Sequence, residues 1–572
     1  MKKTWKNCKK PSPVDVESLS NSININPVLA TVLIQRGVCN FEEAKQFFNP
    51  DLDRLYDPFL MKDMDLAVGR LVQALSHHEK ILIYGDYDVD GTTSVALVYG
   101  FLRKFHTDLL FYINDRELEG YGISKEGIDF AYEQGISLII SLDCGIKAGD
   151  LIKLASEKGM DFIVCDHHTT GVTLPEAVAV LDPKREDCSY PYKELSGCGI
   201  GFKLLQGLCM QGLGDVDELY SMLDLVSVSI ASDIVPITDE NRILCFHGLK
   251  VLNRNPQPGL KALMGTSEKG EIDISGIVFG IAPRINAAGR IDHANAAVSL
   301  MLSTSMEEAE KKAVKVNEKN TLRRDYDKSI TEEALAMIRE EQSDHFSTVL
   351  YSKNWHKGVV GIVASRCIEH YFRPTVVLTS SNGTATGSAR SIPGFDLYEA
   401  IEQCSELLVK FGGHKYAAGL TLETKNIDAF REKFEKIVEE NITEEMKVPV
   451  ISINSEVQFD VITKNFVNIV ARMGPFGPGN MAPVFEARNV YVHNSLQLLK
   501  EQHLKFIAGQ KGNTAIFDAI GFGLSDYYED MVTHSSFSMV FTVEHNEYKG
   551  RKRIQLRIRD IKFDREHGIE SE

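Results

Sequence analysis

At 572 residues, 25% charged and 43% hydrophobic, the chain has ordinary globular composition but is too long for one core, so three or four domains are expected. A net charge of −17 argues against a protein that simply coats nucleic acid, while leaving room for a local basic channel. No run of about 18 apolar residues occurs and none follows the basic start Met1-Lys2-Lys3-Thr4-Trp5-Lys6, so neither a membrane helix nor a signal peptide is expected.

Residues 1–75 read as mixed helix and loop without recognisable chemistry. From Lys80, short apolar runs alternate with helical stretches. Ile81-Leu82-Ile83-Tyr84 is expected as a strand and Thr92 to Phe105 as a helix, followed by strands at Ser137 to Leu142, Asp161 to Cys165 and Val178 to Leu181. That alternation predicts an α/β fold with a parallel sheet. Met306 to Gln342 has few turn residues and predicts one long connecting helix. A second α/β segment follows at about 345–440, with strands at Thr348-Val349-Leu350-Tyr351 and Thr375-Val376-Val377-Leu378. Beyond about 450 the chain is β-rich, with runs such as Val490-Tyr491-Val492 and Phe537 to Val543, and predicts a small barrel or sandwich. The ten cysteines are scattered and form no C-x-x-C pair, which suits reduced thiols and predicts a cytoplasmic protein. Cys144, Cys165 and Cys245 sit in apolar runs and read as small buried hydrophobes.

The strongest local signal is Gly85-Asp86-Tyr87-Asp88-Val89-Asp90-Gly91. Carboxylates this crowded repel one another unless a cation is present. D-x-D-x-D-G also opens a calcium-binding EF-hand loop, but the twelfth position here is Leu97 instead of glutamate, and a strand instead of a helix precedes it. Asp143 closes the strand Ser137 to Leu142, and Asp166-His167-His168 closes the strand Asp161 to Cys165. Asp233 ends the helix-like stretch Leu219 to Ser232. Alone, each reads as a cap or turn residue. Together they converge where open α/β sheets bind ligands, outside the carboxyl ends of the strands. Mixed carboxylate and imidazole donors without thiolate favour Mn²⁺ or Mg²⁺. The donor count suffices for two ions about 3.5–4 Å apart sharing a bridging carboxylate, the arrangement that hydrolyses phosphoesters.

These stretches, with Ser232-Asp233-Ile234-Val235-Pro236, resemble the DHH phosphoesterase superfamily. Pro283-Arg284-Ile285-Asn286-Ala287-Ala288-Gly289-Arg290, Gly387-Ser388-Ala389-Arg390-Ser391 and Gly412-Gly413-His414-Lys415-Tyr416-Ala417-Ala418-Gly419 are similar to its branch of single-strand DNA exonucleases. The resemblance covers roughly residues 75 to 480. It implies 5′-to-3′ hydrolysis of single-stranded DNA in repair and recombination. It further implies Asp88, Asp90, Asp143, His167 and Asp233 as ligands of two divalent cations, with Asp143 bridging and Asp86 a supporting carboxylate. His168 would stand beside the scissile phosphate and Asp166 would orient the histidine pair. Arg290, Ser388 and Arg390 would hold the 5′-terminal phosphate, and His414 another phosphate in the cleft. A single-strand-binding protein and a RecQ-type helicase are the expected protein partners. The expected domains are an N-terminal segment 1–75, a DHH domain 76–300, the connecting helix 301–342, a DHHA1-type domain 343–445 and an OB-like domain 446–572.

Read from the residues alone, Gly412-Gly413-His414 fits a flexible phosphate-approaching segment or a plain turn equally well. Trp355-His356-Lys357-Gly358 leads into the helical run Val359 to Tyr371, whose N-terminus could attract an anion. Near the end, Arg551, Arg553, Gln555, Arg557 and Arg559 share one face of a strand, with Ile554, Leu556 and Ile558 on the other. No acid is mixed into that face, so it is expected to follow single-stranded DNA on an OB-type barrel. Two readings compete: a DHH phosphodiesterase for short oligonucleotides or cyclic dinucleotides, and a non-catalytic DNA-binding scaffold on a DHH core. The terminal β segment argues against the first, and the complete cage against the second.

Overall fold

The computed structural model describes residues 3–265, 271–342, 344–381, 383–548 and 551–563. These fall into two compact units, one of residues 56–235 and 247–449, the other of 3–55, 236–246 and 450 onward. The second unit opens with strand β1 (Thr4–Asn7).

In the first unit, β2 (Ile81–Gly85), β3 (Leu109–Ile113), β4 (Leu138–Leu142), β5 (Asp161–Cys165) and β6 (Ala179–Leu181) form a wholly parallel sheet in the order β3-β2-β4-β5-β6. Its central strands are near-continuous apolar runs because helices cover both faces, and β2 and β4 are buried at every residue. The last residues of all five strands, Ile113, Gly85, Leu142, Cys165 and Leu181, stand side by side in register. Each is followed directly by a short polar residue: Asn114, Asp86, Asp143, Asp166 or Asp182. The fifth strand, β3, is not among the expected elements. The helix expected at Thr92 to Phe105 runs instead over Val89–Leu102, so Asp88 is its N-cap and Asp90 lies in its first turn. Burial of nearly every residue of this helix follows from its packing between the sheet and the helices Gly197–Met210 and Leu223–Ser232.

The connecting helix Met306–Glu341 is capped by Ser305, which accepts from the Glu308 amide, while the Glu308 carboxylate reaches back to the Thr304 amide. It leads to β7 (Thr348–Ser352), β8 (Thr375–Ser381), β9 (Thr384–Arg390), β10 (Leu408–His414) and β11 (Ala417–Glu423), a mixed sheet in the order β10-β11-β9-β8-β7 with its own core.

In the second unit, β12 (Val450–Ile453) pairs in parallel with β1. After β13 (Ser455–Glu456), the strands β14 (Phe485–Leu499), β15 (His503–Gln510), β16 (Ile516–Gly521), β17 (Phe537–Tyr548) and β18 (Arg551–Phe563) close into a five-stranded barrel through the β14–β17 pairing. Leu19, Leu29 and Leu33 of the N-terminal helices share one core with Phe459, Phe485, Phe506 and Phe541. The segment without visible chemistry is therefore, over residues 3–55, part of the barrel's packing. Among the described residues no helix is long and apolar enough to cross a membrane.

Candidate metal centre and phosphate pocket

The row of strand ends sets the cage. Asp86 is fully buried; its Oδ1 accepts from the Gly122 amide at 3.2 Å, and its Oδ2 has no partner among the described residues. Gly91 must lack a side chain, because a Cβ there would come 2.4 Å from the Asp86 carbonyl oxygen. Asp88 accepts from the Gly91 amide at 3.1 Å as the helix cap. Asp90 is held at the N-terminus of the helix Gly197–Met210, accepting from the Gly197 and Cys198 amides at 2.6 and 2.8 Å and from Ser229 Oγ at 2.6 Å. Asp143 sits in the left-handed region at φ 61°, with Gly197 packed so closely that a Cβ there would lie 2.7 Å from the Asp143 Cβ.

These aspartates converge on His167. Its Nε2 lies 3.1 Å from Asp143 Oδ1, 3.5 Å from Asp233 Oδ2 and 3.7 Å from Asp90 Oδ2. Among the described residues, two overlapping groups have donor atoms close enough for a metal ion: Asp143, His167 and His168, and Asp90, His167 and Asp233. Asp86 and Asp88 flank them without belonging to either. Burial first, then neighbouring carboxylates, push Asp86 up to about 8 and raise Asp88, and lift Asp143 and Asp233 well above the carboxylate range. Burial lowers His167, favouring the neutral, ligating imidazole. Asp143 Oδ1 and both ring nitrogens of His167 are buried without a hydrogen-bond partner among the described residues. Crowded carboxylates around a neutral imidazole, with Asp86 Oδ2, Asp143 Oδ1 and His167 left unsatisfied, fit a divalent cation.

Asp166 behaves differently. Its carboxylate accepts from the amides of Ile146, His167 and His168 at 2.9, 2.7 and 3.1 Å and meets His168 Nδ1 at 2.7 Å. Burial raises it, but these partners prevail and bring it to about 2. Reciprocally, burial lowers His168 while Asp166 raises it, to about 8 in balance. The Tyr121 hydroxyl, not singled out in the sequence, lies 3.0 Å from His168 Nε2 and donates to the Asp143 carbonyl at 3.1 Å. Asp182 is also new: its Oδ1 accepts from the Lys184 amide, its buried Oδ2 has no partner among the described residues, and burial lifts it to about 7.

Beside the cage lies a cluster of arginines. Asn286-Ala287-Ala288-Gly289 is part of the helix Ala282–Ile291, whose small residues let it approach Tyr87 closely. Arg290 at its end donates to the Gly358 carbonyl at 3.1 Å. Ser388 and Arg390 alternate along β9. Asp396, six residues past Arg390, caps the next helix by accepting from the Glu399 amide. Among the described residues neither Arg290 nor Arg390 has an acidic partner. Burial, then the charges of other arginines, lowers Arg290 to about 9 and lowers Arg390 as well. Arg116 acts on both and stands 5.0 Å over the Tyr87 ring. Being two residues past Asn114, it could be found only by recognising β3. The first turn of the helix Val360–Tyr371 abuts this pair: a Cβ on Gly361 would lie 2.9 Å from Arg390 Nη2 and 3.2 Å from Ser388 Oγ.

Gly412-Gly413-His414 is neither a turn nor a free segment but the end of the edge strand β10, because it pairs with β11. His414, Ala417 and Arg390 form one row across three strands, with His414 exposed. On β18 the expected open face is interrupted. Gln555 is 7% exposed, and Arg553 has an acid, Asp518 of β16, at 3.8 Å. Arg557 lies over the Phe522 ring at 5.2 Å and Arg559 is exposed. The side chain of Arg551 lies outside the described residues.

Residues 80–230 match the DHH family, N-terminal domain, residues 345–440 the DHHA1 domain, and residues 453–560 the RecJ OB domain. Over 556 residues the chain is 37% identical to the single-stranded-DNA-specific exonuclease RecJ of Bacillus subtilis, a match covering 96% of this chain and 70% of that one. It is 31% identical over 557 residues to RecJ of Dickeya dadantii, covering 93% and 96%. The crystal structure of RecJ from Thermus thermophilus in complex with Mn²⁺ aligns with a TM-score of 0.84 at 25% identity, covering 98% of this chain and 80% of that one. With its DHH sheet, DHHA1 sheet and terminal barrel in the same order along nearly the whole length, the chain belongs to the RecJ family of the DHH phosphoesterases.

Proposed function

We propose that this chain is a single-stranded-DNA exonuclease that works from the 5′ end with two Mn²⁺ or Mg²⁺ ions in its cage. The observation that carries the polarity is the pair Arg290 and Arg390, desolvated and without acid partners among the described residues, beside a cage of aspartates. Two metal ions by themselves hydrolyse whichever phosphodiester reaches them, so direction must come from a pocket that recognises one end.

Asp88, Asp90, Asp143, His167 and Asp233 would hold the ions, with Asp143 between them and Asp86 behind. When bound, such ions supply an activated water and neutralise charge on a phosphoryl oxygen. Arg290, Arg390 and Ser388, with Arg116 at the rim, would fix the terminal phosphate through charge-assisted hydrogen bonds. Asp166 keeps His168 oriented and inclined to carry a proton, which suits donation to the departing 3′ oxygen. Ten free cysteines fit a reducing, cytoplasmic setting. A single-strand-binding protein and a RecQ-type helicase fit as partners in repair and recombination.

The test uses single strands labelled at either end, with Mn²⁺. A 5′ label should appear at once in mononucleotide, while 3′-labelled strands should shorten progressively. The reverse pattern would overturn the polarity, and internal cuts would overturn the exonuclease.

A further inference from the structure

The side chains of two lysines near the cage, Lys147 and Lys184, belong neither to the aspartate–histidine cluster nor to the arginine pocket. Lys147 follows Asp143 on the loop after β4, is exposed, and has no acidic partner among the described residues. Its stem faces the β5–β6 connection, where a Cβ on Gly171 would lie 4.0 Å from Lys147 Cγ. Lys184 follows Asp182 after β6; its ion pair with Glu194 is a loose one at 3.4 Å, and its side chain is 27% exposed. The strands bearing these lysines flank β5, which carries the histidine pair.

Along the row of strand ends, Arg116 and Lys184 mark the two edges, while Lys147 stands after the central strand β4. Arg116 rises after the edge strand β3, and Lys184 after the opposite edge strand β6, four strand spacings or roughly 19 Å away. The aspartates and histidines lie between. The DHHA1 sheet repeats this order in the same unit, since Arg390 and His414 occupy one row two strands apart, roughly 10 Å. Arg390 feels Arg116, whereas His414 is lowered first by burial and then by the charges of His168, Lys147 and Lys184. Each sheet thus carries an arginine on one strand, Arg116 or Arg390, and a second basic group further along the same row, Lys184 or His414. A spacing of roughly 10 Å exceeds the rise of one stacked nucleotide, about 3.4 Å.

We propose that Lys147 and Lys184, together with His414, grip the phosphate on the 3′ side of the scissile linkage. This rests on the 5′-exonuclease reading above. The strand would then be held on both sides of the cage, with the terminal phosphate among the arginines and the next linkage among the lysines.

The experiment compares three substrates with Mn²⁺: a 5′-phosphorylated thymidine dinucleotide, the corresponding trinucleotide, and that trinucleotide with a neutral methylphosphonate in its second linkage. In the wild type, kcat/KM for the first cut should be about tenfold higher for the trinucleotide than for the dinucleotide, and the methylphosphonate should remove that gain. The double substitution Lys147→Ala, Lys184→Ala should collapse the trinucleotide-to-dinucleotide ratio at least about fivefold, and Lys184→Arg should retain it. Melting curves of each variant separate this from misfolding. A variant that slowed all three substrates by one factor, keeping the wild-type ratio, would overturn the downstream grip alone. If the wild type released no mononucleotide from the 5′ end of any substrate, the exonuclease reading would fail and the grip with it.

Discussion

The aspartate cage of the first sheet and the arginine-bearing strand β18 of the barrel each concentrate charge of one sign, and they differ in where that charge is kept. Asp86, Asp90 and Asp143 are at most 2% exposed, and Asp143 meets further aspartates without a balancing guanidinium or ammonium among the described residues. Arg553 has a side chain 65% exposed and an acid 3.8 Å away on the neighbouring strand. Water and a cross-strand partner can satisfy the second surface, whereas in the first Asp86 Oδ2 and Asp143 Oδ1 stay buried without a hydrogen-bond partner among the described residues. Buried unpaired charge therefore says more about a ligand than an exposed run does, however clean its alternation.

Breaking the cage should have the largest effect. Asp143→Ala should lower hydrolysis of single strands by several powers of ten while the protein still folds. The companion measurement is thermal stability. Removing one of several repelling carboxylates should not lower the melting temperature of the metal-free protein, whereas the stabilisation by Mn²⁺, about 2.7 kcal/mol at a hundredfold excess over Kd for a single site, should largely vanish. More than about a tenth of wild-type activity in this variant would rule out a bridging role.

The arginine pocket comes next, because Arg290 and Arg390 are half-buried and have no acidic partner among the described residues. Arg390→Ala should slow degradation of 5′-phosphorylated strands about 10- to 150-fold and shrink their advantage over 5′-hydroxyl strands. Equal slowing of both substrates would make Arg390 a general backbone contact. Gly361→Ala should act in the same direction but by less than about tenfold. Its Cβ would meet the far end of the Arg390 side chain, which can shift. A paired time course on the two substrates checks both.

The smallest effect is expected on β18. Replacing Arg553, Arg557 and Arg559 together with Ala should flatten the slope of log affinity against log salt for long single strands. With Arg553 already beside Asp518, the change should be nearer two contacts than three, roughly 1.4 at about 0.7 per contact. An unchanged slope would remove this face from the DNA path.

The sequence by itself determined the row of carboxylates and histidines that can hold divalent cations. Strands buried on both faces must be apolar throughout, so a run such as Ile139-Ile140-Ser141-Leu142 ending in Asp143 announces both a strand and the place where its polar end emerges. The spacing of Asp86, Asp88, Asp90 and Gly91 speaks as plainly, because a turn into a helix needs the glycine that Asp86's carbonyl crowds. The connecting helix was legible for a similar reason, its composition holding over many turns. Leu109–Ile113 carries the same apolar signal as its neighbours but is absent from the expected elements, and with it went Arg116. The remaining features belong to tertiary structure alone. That Gly197, Cys198 and Ser229 fix Asp90, that Asn286–Gly289 continues a helix against Tyr87, and that Asp518 faces Arg553 are contacts between segments far apart in the chain. Local periodicity reports which face of an element is apolar. It does not report which charge from another element will stand opposite, and that opposition decides whether an ionic side chain is paired, solvated or left to hold a ligand.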